Sequence, residues 1–507
     1  MVNRRQFLTG ALLATVTVSA CGSDSDEGGS EGRFSFTYLR PTWGPATYTK
    51  DGPYERALEK RANVDIEVQI IPVIDYDTKV NTILASGDIP DVIWGSGPTS
   101  ATWKEAQDEG AFLPIDEYLE QYPAIREAVP ESIWKLLKDE NGDTYFIPNL
   151  IWPQVPFFLC YREDLFEQAG IEPMTSLDDF ATVVSKVKQA FPDLVPFTMG
   201  YEWSAKEIAT SFGVAMFGWE PSPDDPERLI PWFMKEPEVD LYFWLQDLHK
   251  RGLLDPDYGV NKEPNFADDK FKGGKAAMVI THWGTIAGAT AQLRTVAPNG
   301  SIGVVSPLGE LGGNRLVFPI DRGFYVSARM ENPDGFFKFL NWTLTDGSDF
   351  RRWGIEGKTY RVKNGVKQPI PDTERDKAYQ GPQIEPLSFL GPFSEKLDWD
   401  QAKLGFEAAG IPDRFEYVKG KFEEYTAKEY PDYRDPTARS ETEDKKGTQL
   451  YEDYLKKVAE STISDHSVTR DDWRRAVEKW RAAGGDQIID EVNTAQKDKS
   501  KPRYIPQ

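Results

Sequence analysis

Two cysteines, three histidines and an excess of acid over base set the first limits on this 507-residue chain. So few cysteines exclude a disulfide-stapled scaffold, and a chain this long buries enough core to do without one. None of the histidines has a second His or Cys at metal-ligand spacing, which argues against a zinc centre. Lysine and arginine number 59 against 82 acids, a net charge of -23. Neutralising phosphates demands a basic surface, so this balance argues against nucleic-acid binding and against adhesion to anionic lipid through a polybasic face. No apolar run reaches the length of a permanent membrane span. Outside the Gly/Ser/acidic stretch 22–32, a Gly-x-Ser-x-Gly elbow and a phosphate-binding glycine loop are also missing. What is present is ordinary for a folded protein of two or more domains, except for the 15 tryptophans. Most of those rings belong in cores, since large apolar faces supply core energy wherever they fall.

The N-terminus reads as an address. Arg4-Arg5-Gln6-Phe7-Leu8 resembles a twin-arginine export signal, a short apolar run over 11–18 follows, and Ser19-Ala20-Cys21 resembles the end of a lipobox. Residues 1–21 are thus expected to be a lipoprotein signal, with Cys21 the lipidated residue of the mature chain. Cys160 then has no partner. It lies in the apolar run Phe157-Phe158-Leu159-Cys160-Tyr161 and is expected to be a buried structural thiol. Residues 22–32 carry no apolar side chain, so 22–33 is expected to be a flexible tether.

From residue 34 the pattern turns structural. Phe34-Ser35-Phe36-Thr37-Tyr38 and Val64-Asp65-Ile66-Glu67-Val68 alternate as half-buried strands do, and Asp91-Val92-Ile93-Trp94 reads as a third strand. Helical spacing separates them, which gives the strand–helix alternation of an α/β layer fold. Ser176-Leu177-Asp178-Asp179 predicts a capping box ahead of Phe180, Val183, Val184 and Val187. Leu241, Trp244, Leu245 and Leu248 predict a second helix, and Asn332-Pro333 opens a third bearing Phe336, Phe337, Leu340 and Leu344. Strands are expected over 196–199, 276–280, 302–305 and 324–326, and a helix over 399–409 despite Gly405. Asp224-Asp225 and Asp255-Pro256-Asp257 lack the full ligand spacing of a calcium loop and read as solvated surface.

Five segments carry a family resemblance: Ala85-Ser86-Gly87-Asp88-Ile89-Pro90-Asp91-Val92-Ile93; Tyr161-Arg162-Glu163-Asp164-Leu165-Phe166; Gly252-Leu253-Leu254-Asp255-Pro256; Phe271-Lys272-Gly273-Gly274-Lys275-Ala276-Ala277-Met278; and Asn332-Pro333 through Trp342 with Gly354-Ile355-Glu356-Gly357-Lys358. Their order across residues 35–365 resembles the extracellular solute-binding lipoproteins of carbohydrate importers, related to maltose- and oligosaccharide-binding proteins. The resemblance implies an α/β fold of two lobes that close like a clamshell, with several hinge crossings, near 148–157, 318–325 and 344–353. It implies an N-terminal lobe of 34–150 plus 323–346 and a C-terminal lobe of 151–322 plus 347–507. It also implies the partners: a carbohydrate ligand, and transmembrane permease subunits of an ABC importer with their cytoplasmic ATPase. No cofactor is expected, contact with the membrane is expected only through the lipid, and the chain is expected to act as a monomer.

Sugar recognition needs flat aromatic faces and fixed polar groups at strand ends or crossings. The candidate ligand-binding residues are therefore Trp43, Trp94, Trp152, Glu202, Trp203, His282, Trp283, Asp321 and Arg322. Each ring could equally be lobe packing, and Glu202, Asp321 and Arg322 could equally form structural ion pairs. Three other readings stay open: a secreted carbohydrate-active enzyme, for which paired carboxylates are needed, the same fold holding a peptide, polyamine or other solute, and a receptor that signals or adheres rather than feeding a transporter.

Overall fold

The computed structural model describes residues 33–43, 47–98, 100–150, 157–200, 205–259, 265–315, 320–389, 395–435 and 438–496. By its contacts Phe34–Gln507 is one unit and residues 1–33 are another. The expected roles of Cys21, the twin-arginine stretch and the tether lie outside the described residues.

The alternation of the first sixty structural residues builds a parallel sheet. Strand Phe34–Thr42 pairs in parallel with Val64–Pro72 on one side and with Val92–Gly95 on the other, and helices Pro53–Ala62 and Val73–Ser86 make the connections. Two strands distant in sequence complete the five-stranded sheet: Ile320–Val326 lies antiparallel between Val92–Gly95 and Phe146–Leu150. This sheet has its own core, which includes Phe36, Ile93, Trp94, Tyr325, Phe336 and Leu340.

A second sheet has Phe157–Arg162 at its centre, antiparallel to both Met278–His282 and Ile302–Val304. Its central strand is apolar from Phe157 to Tyr161 because both faces are covered. Successive side chains point to opposite faces, so Leu159 and Tyr161 enter one core cluster while Phe158 and Cys160 enter another. Cys160 is fully buried, and burial pushes its thiol pKa up, as an inert structural cysteine requires.

The expected helices form with their expected faces. Ser176 Oγ accepts from the Asp179 amide, and Phe180, Val183, Val184 and Val187 are buried along Leu177–Ala190. Leu241, Leu245 and Leu248 are buried along Glu236–Lys250, and Asn332 caps Pro333–Leu344. The expected 399–409 helix runs Glu395–Ala408, where a Cβ on Gly405 would meet only the Ala287 methyl at 3.9 Å. Residues 196–199 form no regular strand; Val195, Phe197 and Thr198 make isolated bridges to Ala276, Leu254 and Val279. Pro196 has no N–H to give, which interrupts the ladder.

Two expectations change. Asp255 is no surface acid: it is 1% exposed, and Lys270 Nζ lies 2.7 Å from both its oxygens while the Thr198 hydroxyl donates at 2.7 Å. A paired, hydrogen-bonded carboxylate tolerates burial that a lone one does not. The stretch after residue 347, expected in the C-terminal lobe, instead covers the first sheet, since Phe350, Leu387 and Phe389 lie in that core. Short 3-10 turns and Pro-rich segments carry this path, so it leaves no periodic trace in the sequence.

The tail belongs to the second sheet's cores. Helices Glu395–Ala408 and Arg414–Thr426 bring Phe406, Phe415, Val418 and Phe422 to one cluster. Helices Lys457–Ser464, Arg470–Trp480 and Asp486–Ala495 bring Ile463, Trp473, Trp480, Ile489 and Val492 to the other. His249 and His466, far apart in sequence, meet here with Nδ1 and Nε2 3.0 Å apart. Among the described residues, no helix is long and apolar enough to cross a membrane.

Candidate functional site

The chain leaves the first sheet after Phe146–Leu150, enters the second at Phe157–Arg162, and returns through Ile320–Val326. The chemistry gathers around these strand ends. On the first sheet, strand Phe34–Thr42 delivers Arg40 and then Trp43. Arg40 is 1% exposed; its guanidinium pairs with the Glu385 carboxylate and donates to the Glu385 carbonyl at 2.6 Å. The Arg40 Cζ lies 4.8 Å from the Trp94 ring centre and 6.0 Å from that of Trp43. Trp94 is buried edge-on to Phe324, and Tyr76 donates to its carbonyl at 2.5 Å. Arg322, half-buried on the returning strand, holds its Cζ 5.5 Å from the Trp43 ring. The Asn265 side chain, at the start of helix Phe266–Lys272, donates to the Trp43 carbonyl at 2.9 Å. That helix buries Ala267 and Phe271 in a core of the second sheet, so this bond joins the two halves.

On the second sheet, His282 closes strand Met278–His282 opposite Phe157, with ring centres 5.5 Å apart. Its Nδ1 accepts from the Gly284 amide at 3.1 Å, which caps the turn Trp283–Thr285 and leaves the neutral ring's proton on Nε2. Trp283 is 6% exposed and packs against Trp399 and Phe422 at 4.8 and 5.5 Å. Lys206 Nζ sits 4.5 Å over the Phe157 ring. Beside it the buried Glu207 carboxylate accepts from the amides of Phe157, where the second sheet's central strand begins, and Arg315, which ends the short strand Asn314–Arg315.

Of the nine candidates, Trp43, Trp94 and Arg322 come together, and His282 and Trp283 form a second group. Trp152, Glu202 and Trp203 lie outside the described residues, as does the Asp321 side chain. Sequence reasoning missed Arg40, Lys206, Glu207 and Asn265. Arg40 could have been flagged as a charge inside a strand, between the apolar Leu39 and Pro41; the other three show no local signal.

Two groups titrate against each other here. Burial, only partly offset by Lys206 and Arg315, lifts the Glu207 pKa from 4.5 to about 7. Burial and then Lys206 lower the His282 pKa from 6.5 to about 4. The folded Glu207 keeps a proton that the unfolded chain releases, so its contribution to stability is full below pH 4.5 and is lost as pH rises toward 7. The unfolded His282 binds a proton that the folded one refuses, so its contribution is gained as pH rises from 4 to 6.5. The two slopes, each up to about 1.4 kcal/mol per pH unit, oppose one another in the overlap. Urea unfolding between pH 4.5 and 6.5 is therefore expected to show stability rising with pH more steeply in Glu207→Gln than in the parent, and falling in His282→Asn. Variants that both keep the parental profile would contradict the assignment.

Comparison with known proteins matches this arrangement. Lipoprotein LipO of Bacillus subtilis is 23% identical over 95% of this chain and 96% of its own length. The polygalacturonan/rhamnogalacturonan-binding protein YtcQ of the same organism is 23% identical, covering 97% of this chain and 98% of its own. Among solved structures, alginate-binding protein AlgQ2 superposes with a TM-score of 0.70 at 16% identity, over 92% of this chain and 98% of its own, which shows a shared two-lobed α/β fold. Residues 45–349 match the model of the bacterial extracellular solute-binding proteins. Two sheets with separate cores, crossed repeatedly by the chain and joined where Asn265 meets Trp43, are how that match looks in three dimensions: the chain belongs to the bacterial extracellular solute-binding protein family.

Proposed function

We propose that this protein is the capture subunit of an ABC importer and that its solute is a carbohydrate, held between the two sheets and handed on intact. The observation that carries the reading is the joint itself. Cations and aromatic rings from the first sheet, Arg40, Trp43, Trp94 and Arg322, converge where the second half reaches across through Asn265. Supporting it, the full-length relatives YtcQ and AlgQ2 are named for the polysaccharides they bind. A solute that touches both halves binds the closed form better, and shifts the open–closed balance by that difference alone. The permease, with its ATPase, then reads the closed shape.

The lobe division we propose is 34–150 with 320–389 for the first lobe and 157–315 with 395–496 for the second. The separate cores support it. The second group, His282 with Trp283, and the candidates Trp152, Glu202, Trp203 and Asp321 are proposed to line the second lobe's side and the crossings. We place the mature protein outside the cell membrane as a monomer, held by lipid on Cys21 after twin-arginine export, with 22–33 as its tether. The tether keeps it at high local concentration near its permease.

Thermal unfolding of the full chain against oligosaccharides, peptides and polyamines tests the reading. A ligand at about a hundred times its Kd stabilises the fold by roughly 2.7 kcal/mol. A rise in Tm with one sugar family is the expected result. A rise with peptides or polyamines and none with sugars would keep the fold and overturn the solute.

A further inference from the structure

Three of the tryptophans expected to present a face to sugar are engaged by the protein. Trp94 is 5% exposed with Arg40 over its ring, and Trp283 is 6% exposed between Trp399 and Phe422. Trp43 has both Arg40 and Arg322 over its ring. Stacking on an open aromatic face is thus not what these described residues offer.

What they offer is charge. Arg40 is neutralised by Glu385, and Lys206 lies 3.9 Å from Glu207. Arg322 differs from both. It is half-buried, stands beside the bond that joins the two halves, and makes no hydrogen bond or ion pair with any described residue. Its ring contact with Trp43 orients the guanidinium but uses none of its five donors. A solute seated against the half-buried guanidinium takes that charge further from water, and an unmatched buried charge is strongly unfavourable. A neutral hydroxyl supplies one acceptor and no countercharge. A carboxylate supplies two acceptors in the spacing of the guanidinium fork and cancels the charge. The net charge of -23 adds no general attraction for acids, so an acidic solute needs a local cation of this kind.

We propose that the solute is an acidic oligosaccharide containing uronic acid units, and that Arg322 binds one of its carboxylates. The proposal rests on the carbohydrate reading and narrows it.

Titration calorimetry on the full chain provides the test, with short oligomers of galacturonate, glucuronate, mannuronate and guluronate. Each is paired with its methyl ester, which keeps the rings and removes the charge, and sulfated and neutral oligosaccharides complete the panel. Charge-assisted hydrogen bonds of the usual strength predict that one uronate binds about ten to a hundred times more tightly than its ester. Arg322→Gln is expected to lose about the same factor for the acid and to bind the ester as the parent does. Its Tm without ligand should be unchanged, because Arg322 has no hydrogen-bonded partner among the described residues. Acid and ester binding equally, Arg322→Gln retaining the acid, or a preference for sulfated or neutral sugars would each overturn the proposal while the carbohydrate reading stands. Silence toward every sugar, acidic and neutral, would overturn the carbohydrate reading itself.

Discussion

Trp473→Ala is expected to cost the protein about 3–5 kcal/mol and to lower the second lobe's Tm by roughly 5–15 °C. Trp473 sits 84 residues beyond Phe389, the last residue of the first sheet's core, in the tail that the family resemblance assigns to the C-terminal lobe. Yet it is among the largest fully buried side chains, with its ring centre 4.9 Å from that of Tyr242 and its indole N–H donating to the Phe233 carbonyl at 3.3 Å. Removing it opens a cavity between helices Arg470–Trp480 and Glu236–Lys250 in the second lobe's core. A two-lobed chain need not unfold in one step, so calorimetry should show the second lobe's transition move and the first lobe's stay. A loss below about 1 kcal/mol would mean the tail is a loose appendage.

Gly323→Ala is expected to cost about 3 kcal/mol in the other lobe, at the upper end for an overpacked core or beyond it. On strand Ile320–Val326, Gly323 pairs with Gly95 on one side and Pro148 on the other. An added Cβ would stand 2.2 Å from the Ile147 carbonyl oxygen and 2.5 Å from the Phe146 ring. One of those neighbours is backbone in the middle of a sheet, so the strand itself must shift. The paired glycines leave room for Trp103 and Tyr325 to stack 5.1 Å apart, with Phe146 4.9 Å from Tyr325. Because Arg322 is the adjacent residue, the same shift moves its guanidinium and should weaken solute binding along with stability. Urea unfolding checks the first effect and a binding titration the second; an unchanged midpoint would show that the close approach is not a constraint.

These two residues also mark how far the sequence can be read. Local features were legible because local physics makes them. Ser176 and Asp179 cap a helix three residues apart, the Phe180–Val187 stripe repeats with the helix, and strands Phe34–Thr42 and Val64–Pro72 alternate before they pair. Partners distant in the chain left no such trace. Arg40 finds Glu385, Lys270 finds the buried Asp255, and His249 finds His466, each across a separation that periodicity does not span. For the same reason the path of residues 347–389 back over the first sheet and the docking of the tail helices needed coordinates. The candidate site divides likewise. Strand ends could be located from sequence, so Trp43, Trp94, His282 and Trp283 were placed beside them, whereas Arg322 lies within strand Ile320–Val326. Whether a ring faces solvent or core depends on what packs over it, and Trp399 and Phe422 over Trp283 come from more than a hundred residues away.

The central claim is that the protein holds a saccharide and leaves it unchanged. Equilibrium dialysis of the full chain against a labelled oligosaccharide, with chain-length analysis of the sugar recovered from the protein, tests it most directly. The account predicts one sugar retained per chain and returned at its original length. Sugar returned shortened would make the protein an enzyme, and no sugar retained while a peptide or polyamine is retained would make its solute something else.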